Sequence, residues 1–263
     1  MSKRVFIALF LCIFAAAAFA QPAPPSCCAP IPPNLANWWT FDEPAGPTSS
    51  DFGGTFNNIG NDNGPVQRIP GRVGRAVLFN GTNTFIAVPN QAEIDFAGNC
   101  AGGVPTEDGT IDFWIRSGQN TGTVTILDKR VSSPLQGYSI YMWNGHIGIQ
   151  FASNGSHVNL TAPNSVPAVA TGQWVFVAIT FTRCGTPTGT FYVNGQTASF
   201  SPPAGSIQNT APLHIGRNIS LGGAVPLKGA LDELEYFKRA LTKQQLDAIY
   251  NAGPYGKCRR YGD

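Results

Sequence analysis

Two runs of this 263-residue chain carry carboxylates at spacings that could cleave a glycosidic bond. That chemistry needs a nucleophile and an acid/base carboxyl group on one face, about 5 Å apart in a retaining enzyme. In Glu93-Ile94-Asp95-Phe96, strand alternation would put Glu93 and Asp95 together. The next residue on that face is Ala97, so a third carboxylate is missing, and the run reads as a polar strand end before a loop. In Leu231-Asp232-Glu233-Leu234-Glu235, alternation sets Asp232 with Leu234 and turns Glu233 and Glu235 to the other side. His146, His157 and His214 are scattered, and the chain holds no Gly-x-Ser-x-Gly elbow, His-Glu-x-x-His run or Gly-rich phosphate loop. An enzyme is not expected, and a glycosidase stays as the minor alternative.

The more ligand-like group is Asp128-Lys129-Arg130 with Tyr138, Tyr141 and Trp143. A sugar site wants an aromatic face for the C–H side of the ring and charged or amide groups for its hydroxyls. Trp143 directly precedes Asn144-Gly145, a turn signal, so its indole is expected at a rim. Trp143, Tyr141, Asp128 and Arg130 are the expected ligand-binding residues. The competing reading packs Trp143 and Tyr141 against the protein body.

The elements that must position these residues are short alternating runs broken by turn residues. Strands are expected at 76–79, 85–88, 110–116, 123–128, 138–142, 146–150 and 156–161, then at 173–181, 190–193, 197–200, 213–216 and 230–237. Asn144-Gly145 and Asn194-Gly195 predict type I′ hairpins, whose central residues both need positive φ. The run 173–181 is apolar on both faces, so it should be central and covered. One helix follows Arg239, with Thr242 as N-cap, Gln245 completing a capping box and Gly253 as the stop. About a dozen strands at this spacing predict an all-β, two-sheet antiparallel sandwich with a short C-terminal helix.

Residues 1–20 read as a secretory signal peptide: Lys3 and Arg4, an apolar run from Val5 to Phe14, and Ala18-Phe19-Ala20 as a small-x-small cleavage site. Residues 21–34 form a Pro-rich lead-in. A secreted location, extracellular or periplasmic, is expected, with no membrane span. Only 12% of residues are charged and the net charge is +2, which offers nothing to nucleic acid or to an anionic membrane.

The three runs Trp38-Trp39-Thr40-Phe41-Asp42-Glu43, Pro70-Gly71-Arg72-Val73-Gly74-Arg75-Ala76-Val77-Leu78-Phe79-Asn80-Gly81 and Gly229 to Gly253 resemble, in order and spacing, the laminin-G-like jelly-roll domains of the concanavalin A-like lectin/glucanase superfamily. The resemblance implies one jelly-roll domain over residues 35–258, its first strand beside its last. It also implies a structural calcium held by Asp42 and Asp232, with Asp51 and Asn57 as further oxygen sources; hard oxygen ligands suit that ion. The termini of such a sandwich lie close, so Cys28 is expected to pair with Cys258, with Cys27 as the alternative. Cys100 and Cys184, both in polar loops between strands, are the expected second pair. The function expected is an exported, non-catalytic carbohydrate-binding, lectin-like module. The alternative is an extracellular structural or adhesion module with a protein partner.

Overall fold

The computed structural model describes residues 27–53, 58–96, 108–218 and 225–259. The expected signal peptide, Asn57 and Cys100 lie outside the described residues. The strands begin with β1 (Leu35–Trp39), β2 (Thr48–Ser49), β3 (Gly60–Asn63), β4 (Gln67–Pro70), β5 (Arg75–Asn80) and β6 (Phe85–Val88). They continue with β7 (Gly109–Ser117), β8 (Thr123–Ser132), β9 (Leu135–Trp143), β10 (His146–Ser153), β11 (Ser156–Thr161) and β12 (Val175–Thr182). The last are β13 (Thr188–Val193), β14 (Gln196–Phe200), β15 (Leu213–Ile215), β16 (Val225–Pro226) and β17 (Lys228–Phe237), followed by helix α1 (Lys243–Ala252).

They form two antiparallel sheets. One runs β14-β13-β12-β7-β17-β5-β4 with β1 added beside β17, and the other runs β11-β10-β9-β8-β15-β6-β3-β2 with short β16 parallel to β8. Inward side chains such as Phe113, Ile115, Ile140, Ile149, Phe181 and Leu231 fill the space between the sheets. A second apolar cluster lies on the outer face of the eight-stranded sheet, where Trp114, Phe176 and Tyr192 pack under Leu246 and Ile249 of α1. This explains the doubly apolar pattern of β12. Thr242 caps α1 in a full capping box with Gln245. Asn144, Asn154 and Asn194 each take positive φ before a glycine, so three Asn-Gly turns close hairpins. Strands β3 and β4, rich in polar residues and without alternation, carry no strand signal in the sequence.

A β-bulge changes the expected facing in β17. Leu231 and Leu234 both enter the inter-sheet core, while Asp232 lies opposite Trp114 and Glu235 opposite Asp112. Glu233, at φ 51°, is the extra residue. The alternation that separated Asp232 from Glu235 is therefore corrected: both belong to the outer face. There Asp112 and Glu235 are fully buried, and Lys257 reaches over the sheet to pair with Glu235 and, at 3.6 Å, with Glu233.

The Cys28–Cys258 disulfide, Cα atoms 4.9 Å apart, fastens the segment that delivers Lys257. It closes a separation of 230 residues, worth about 5 kcal/mol in the chain-entropy picture. Cys27 is an exposed free thiol. Ala29, in the Pro-rich stretch, is buried and exchanges backbone hydrogen bonds with Gly256 and Cys258, so the end of that stretch is docked. Cys184 is disulfide-bonded.

Burial raises the Asp112 carboxyl to about 7 despite Lys257, and raises Glu235 with the help of Asp112. Burial alone would disfavour the Lys257 ammonium, yet Glu235, Glu233 and Asp112 hold its pKa above the ordinary value. A carboxyl whose pKa is higher folded than unfolded contributes stability that is full below about pH 4 and lost as pH rises through its folded pKa. Thermal unfolding should therefore give a Tm that falls between pH 5 and pH 8.5, and Asp112→Asn should flatten that slope. Lys257→Met should cost about 3–5 kcal/mol at pH 8 by stranding buried carboxylates, and less at pH 5, as chemical denaturation would report.

Candidate functional site: the outer face of the nine-stranded sheet

Strands β8 to β11 stack three rows of outward residues in register. One row holds Thr123, Trp143 and His146; the next holds Thr125, Tyr141, Gly148 and Thr161; the third holds Asp128, Ser139, Gln150 and Asn159. Thr123, Trp143, Thr125, Tyr141, Thr161, Ser139, Gln150 and Asn159 of these rows border a cleft of about 360 Å³ that Arg130 and Asn218 also line. Three of the four residues singled out in the sequence, Trp143, Tyr141 and Arg130, meet there.

Trp143 is 52% exposed at the rim, beside the type I′ turn that ends β9. Tyr141 is half-buried. Its ring lies across Gly148 of the neighbouring strand, where a methyl group would overlap it, and its hydroxyl bonds Thr161 Oγ1 at 2.8 Å. The missing side chain at Gly148 is what lets the ring lie down on the sheet. Burial pushes the Tyr141 hydroxyl above its ordinary pKa, so it stays protonated at neutral pH.

Asp128 reaches this face only because β8 bulges between Thr125 and Leu127. Thr123 and Thr125 face out, Ile126 and Leu127 both join the core, and Asp128 and Arg130 then face out. Ser139 Oγ donates to the Leu127 carbonyl at 2.8 Å, satisfying an acceptor at the bulge. Lys129 is turned inward instead, fully buried and paired with Asp95 at 2.6 Å. Asp128 itself is fully buried, which corrects its expected role as a hydroxyl contact: it lies under the cleft and accepts from Arg130 Nε. Arg130 Nη1 donates to Gln150 Oε1, and Gln150 Nε2 donates to Asn159 Oδ1 at 2.7 Å.

Thr123, Thr125, Ser139, Gln150, Asn159, Thr161 and Asn218 also line the cleft and are not among the expected ligand-binding residues. The period-2 placement of polar residues along β9 and β10 is the signal that marks this face.

The carboxylate runs build no accessible acid/base pair among the described residues. Glu93 lies in a 3-10 turn, Ala92–Ile94, rather than a strand end, and Asp95 just beyond it is committed to Lys129. Asp112 and Glu235 are sealed from solvent.

Asp42 and Asp232 clasp the 71–75 turn. Asp232 Oδ2 accepts from the amides of Arg72 and Val73, and Asp42 Oδ1 from that of Arg75. Asp42 Oδ2 takes Arg259 at 2.6 Å, whereas buried Asp232 Oδ1 has no hydrogen-bond partner among the described residues. Burial first, and then Glu233, push the Asp232 carboxyl to about 8. Both oxygens of Asp51 are taken by donors from Asn37, Trp38, Gly53 and Asn58, so it is a turn hub rather than a spare oxygen source.

Residues 80–247 match the laminin-G pattern of the concanavalin A-like lectin/glucanases superfamily. The chain belongs to this superfamily. No curated protein matches the sequence. Among solved structures, it is similar to the binding domain of Paraclostridial Mosquitocidal Protein 1, at 20% identity and a TM-score of 0.65, covering 83% of this chain and 52% of that one. It is also similar to a structure of botulinum neurotoxin type C, whose cell entry depends on interaction with two ganglioside molecules (17% identity, TM-score 0.63, 83% and 51% covered). A third is the binding domain of botulinum neurotoxin DC in complex with rat synaptotagmin II (16% identity, TM-score 0.62, 83% and 51% covered). The chain thus spans about half the length of the structures it matches. At these identities the likeness is one of fold.

The local geometry sets two mutational outcomes. Gly148→Ala should lift the Tyr141 ring and destabilise the protein by about 1–3 kcal/mol, the usual cost of overpacking. Trp143→Ala should stay within about 0.5 kcal/mol of the parent, since the indole is at the rim. Urea unfolding of both variants checks the pair.

Proposed function

We propose that this chain is an exported, non-catalytic carbohydrate-binding module whose ligand sits on the outer face of the nine-stranded sheet. The observation that carries this reading is the pairing of an exposed indole, Trp143, with a Tyr141 ring laid flat over Gly148. Together they offer an apolar platform, bordered by the hydroxyls and amides of Thr125, Gln150 and Asn159. Sugar rings present an apolar C–H side and a hydroxyl periphery, which is what this surface complements. Export is supported by the disulfide and by the leader-like residues 1–20. Of the similar structures, one is of a toxin tied to two ganglioside molecules and another is in complex with rat synaptotagmin II, so an extracellular protein partner is the second reading.

A glycan array followed by calorimetry tests the proposal. Trp143→Ala and Tyr141→Ala should each weaken binding about tenfold, near 1.4 kcal/mol, with the fold intact. Absence of binding to every glycan, with retention of a protein ligand, would favour the second reading.

A structural calcium at Asp42 and Asp232 is a separate part of the proposal, supported by the unpartnered, buried Asp232 Oδ1. Arg259 already serves as the cation for Asp42. Chelator should lower the Tm of the parent and leave that of Asp232→Ala unchanged; a parent insensitive to chelator would remove the ion.

A further inference from the structure

From Val131 to Thr182 the chain contains no Asp, Glu, Lys or Arg. This stretch includes all of β9, β10 and β11, the strands on which Tyr141, Trp143, Gln150 and Asn159 stand. Among the described residues, the single charged side chain lining the cleft is Arg130. Its guanidinium is ion-paired through Nε with the fully buried Asp128 beneath it, and Nη1 is spent on Gln150. The buried carboxylate thus cancels the charge, and the guanidinium plane is held as part of a hydrogen-bonded row. Arg217, the residue before Asn218, is stacked 4.7 Å over the ring of Phe85, which stands on β6, two strands from β8. An acidic sugar placed on Tyr141 would lose water over an Arg130 already ion-paired to the carboxylate beneath it, and would find no uncommitted cation among the described residues lining the cleft. Burying an uncompensated carboxylate or sulfate is costly, whereas a hydroxyl can be matched by the amides and hydroxyls present.

Resting on the glycan-binding reading, we infer that this face selects uncharged sugars and discriminates against sialylated or sulfated forms of the same core. Arg130 and Asp128 act as a neutral, rigid hydrogen-bonding unit in this selection.

The test uses the disulfide-intact protein and immobilised neutral gluco-, galacto-, manno- and xylo-oligosaccharides, together with sialylated and sulfated forms of the galacto series. The expected result is binding to neutral members, at least tenfold weaker binding when an acidic group is added to a bound core, and less than about a twofold change in affinity between 50 and 500 mM salt. Preference for the acidic forms, with affinity falling steeply as salt rises, would overturn the inference while leaving glycan binding in place. Binding to no glycan at all would overturn the glycan reading and this inference with it. Asp128→Asn should gain salt-sensitive retention on the sulfated probe by uncovering the Arg130 charge. A folded Asp128→Asn protein with no such gain would show that Asp128 is not what neutralises the site.

Discussion

One inserted residue in a strand reverses the facing of everything after it, and this sandwich depends on two such insertions. Side chains in a strand alternate strictly, so a bulge exchanges core and surface for the following residues. In β8 the bulge admits both Ile126 and Leu127 to the core, presents Arg130 to the cleft with Asp128 beneath it, and buries Lys129 against Asp95. In β17 the bulge at Glu233 keeps Leu231 and Leu234 in the core while collecting Asp232 and Glu235 on the outer face. Without the first, Asp128 and Arg130 would not join the row of Ser139, Gln150 and Asn159. Without the second, Lys257 would lose Glu235 as its partner on the sheet.

The two outer faces then have opposite fates. That of the eight-stranded sheet is closed by α1 over Trp114 and Phe176, and by the disulfide-tethered segment carrying Lys257 and Arg259. Its carboxylates are removed from solvent, with Glu233 and Glu235 paired to Lys257, which makes them a matter of stability. Among the described residues, no helix covers β8 to β11 on the outer face of the nine-stranded sheet. Its polar atoms satisfy one another sideways, as in the chain from Asp128 through Arg130 and Gln150 to Asn159, and its aromatic surface stays partly in water. A module of this superfamily with one sealed and one open face has a natural place for a ligand.

Much of the architecture was legible in the chain. The strands that alternate cleanly, the Asn-Gly hairpins and the capping box at Thr242 are local signals, each fixed by sterics or hydrogen bonds within a few residues. The rim position of Trp143 was also legible, because a residue at the end of a strand beside a type I′ turn has little above it to bury it. Strands β3 and β4 were not, since they are polar and are made strands only by pairing with neighbours distant in sequence.

By itself, then, the sequence determined the two-sheet class, the C-terminal helix and the candidates Trp143, Tyr141 and Arg130, because propensity, periodicity and turn chemistry are written locally. The tertiary structure alone decided which way Asp128, Lys129, Asp232 and Glu235 point. Alternation predicts facing only while pairing is regular, and a bulge is chosen by the partner strand and the core it must fill. Only the fold, too, set Gly148 beneath Tyr141 and Asp128 beneath Arg130, since both contacts join residues whose proximity arises from strand register.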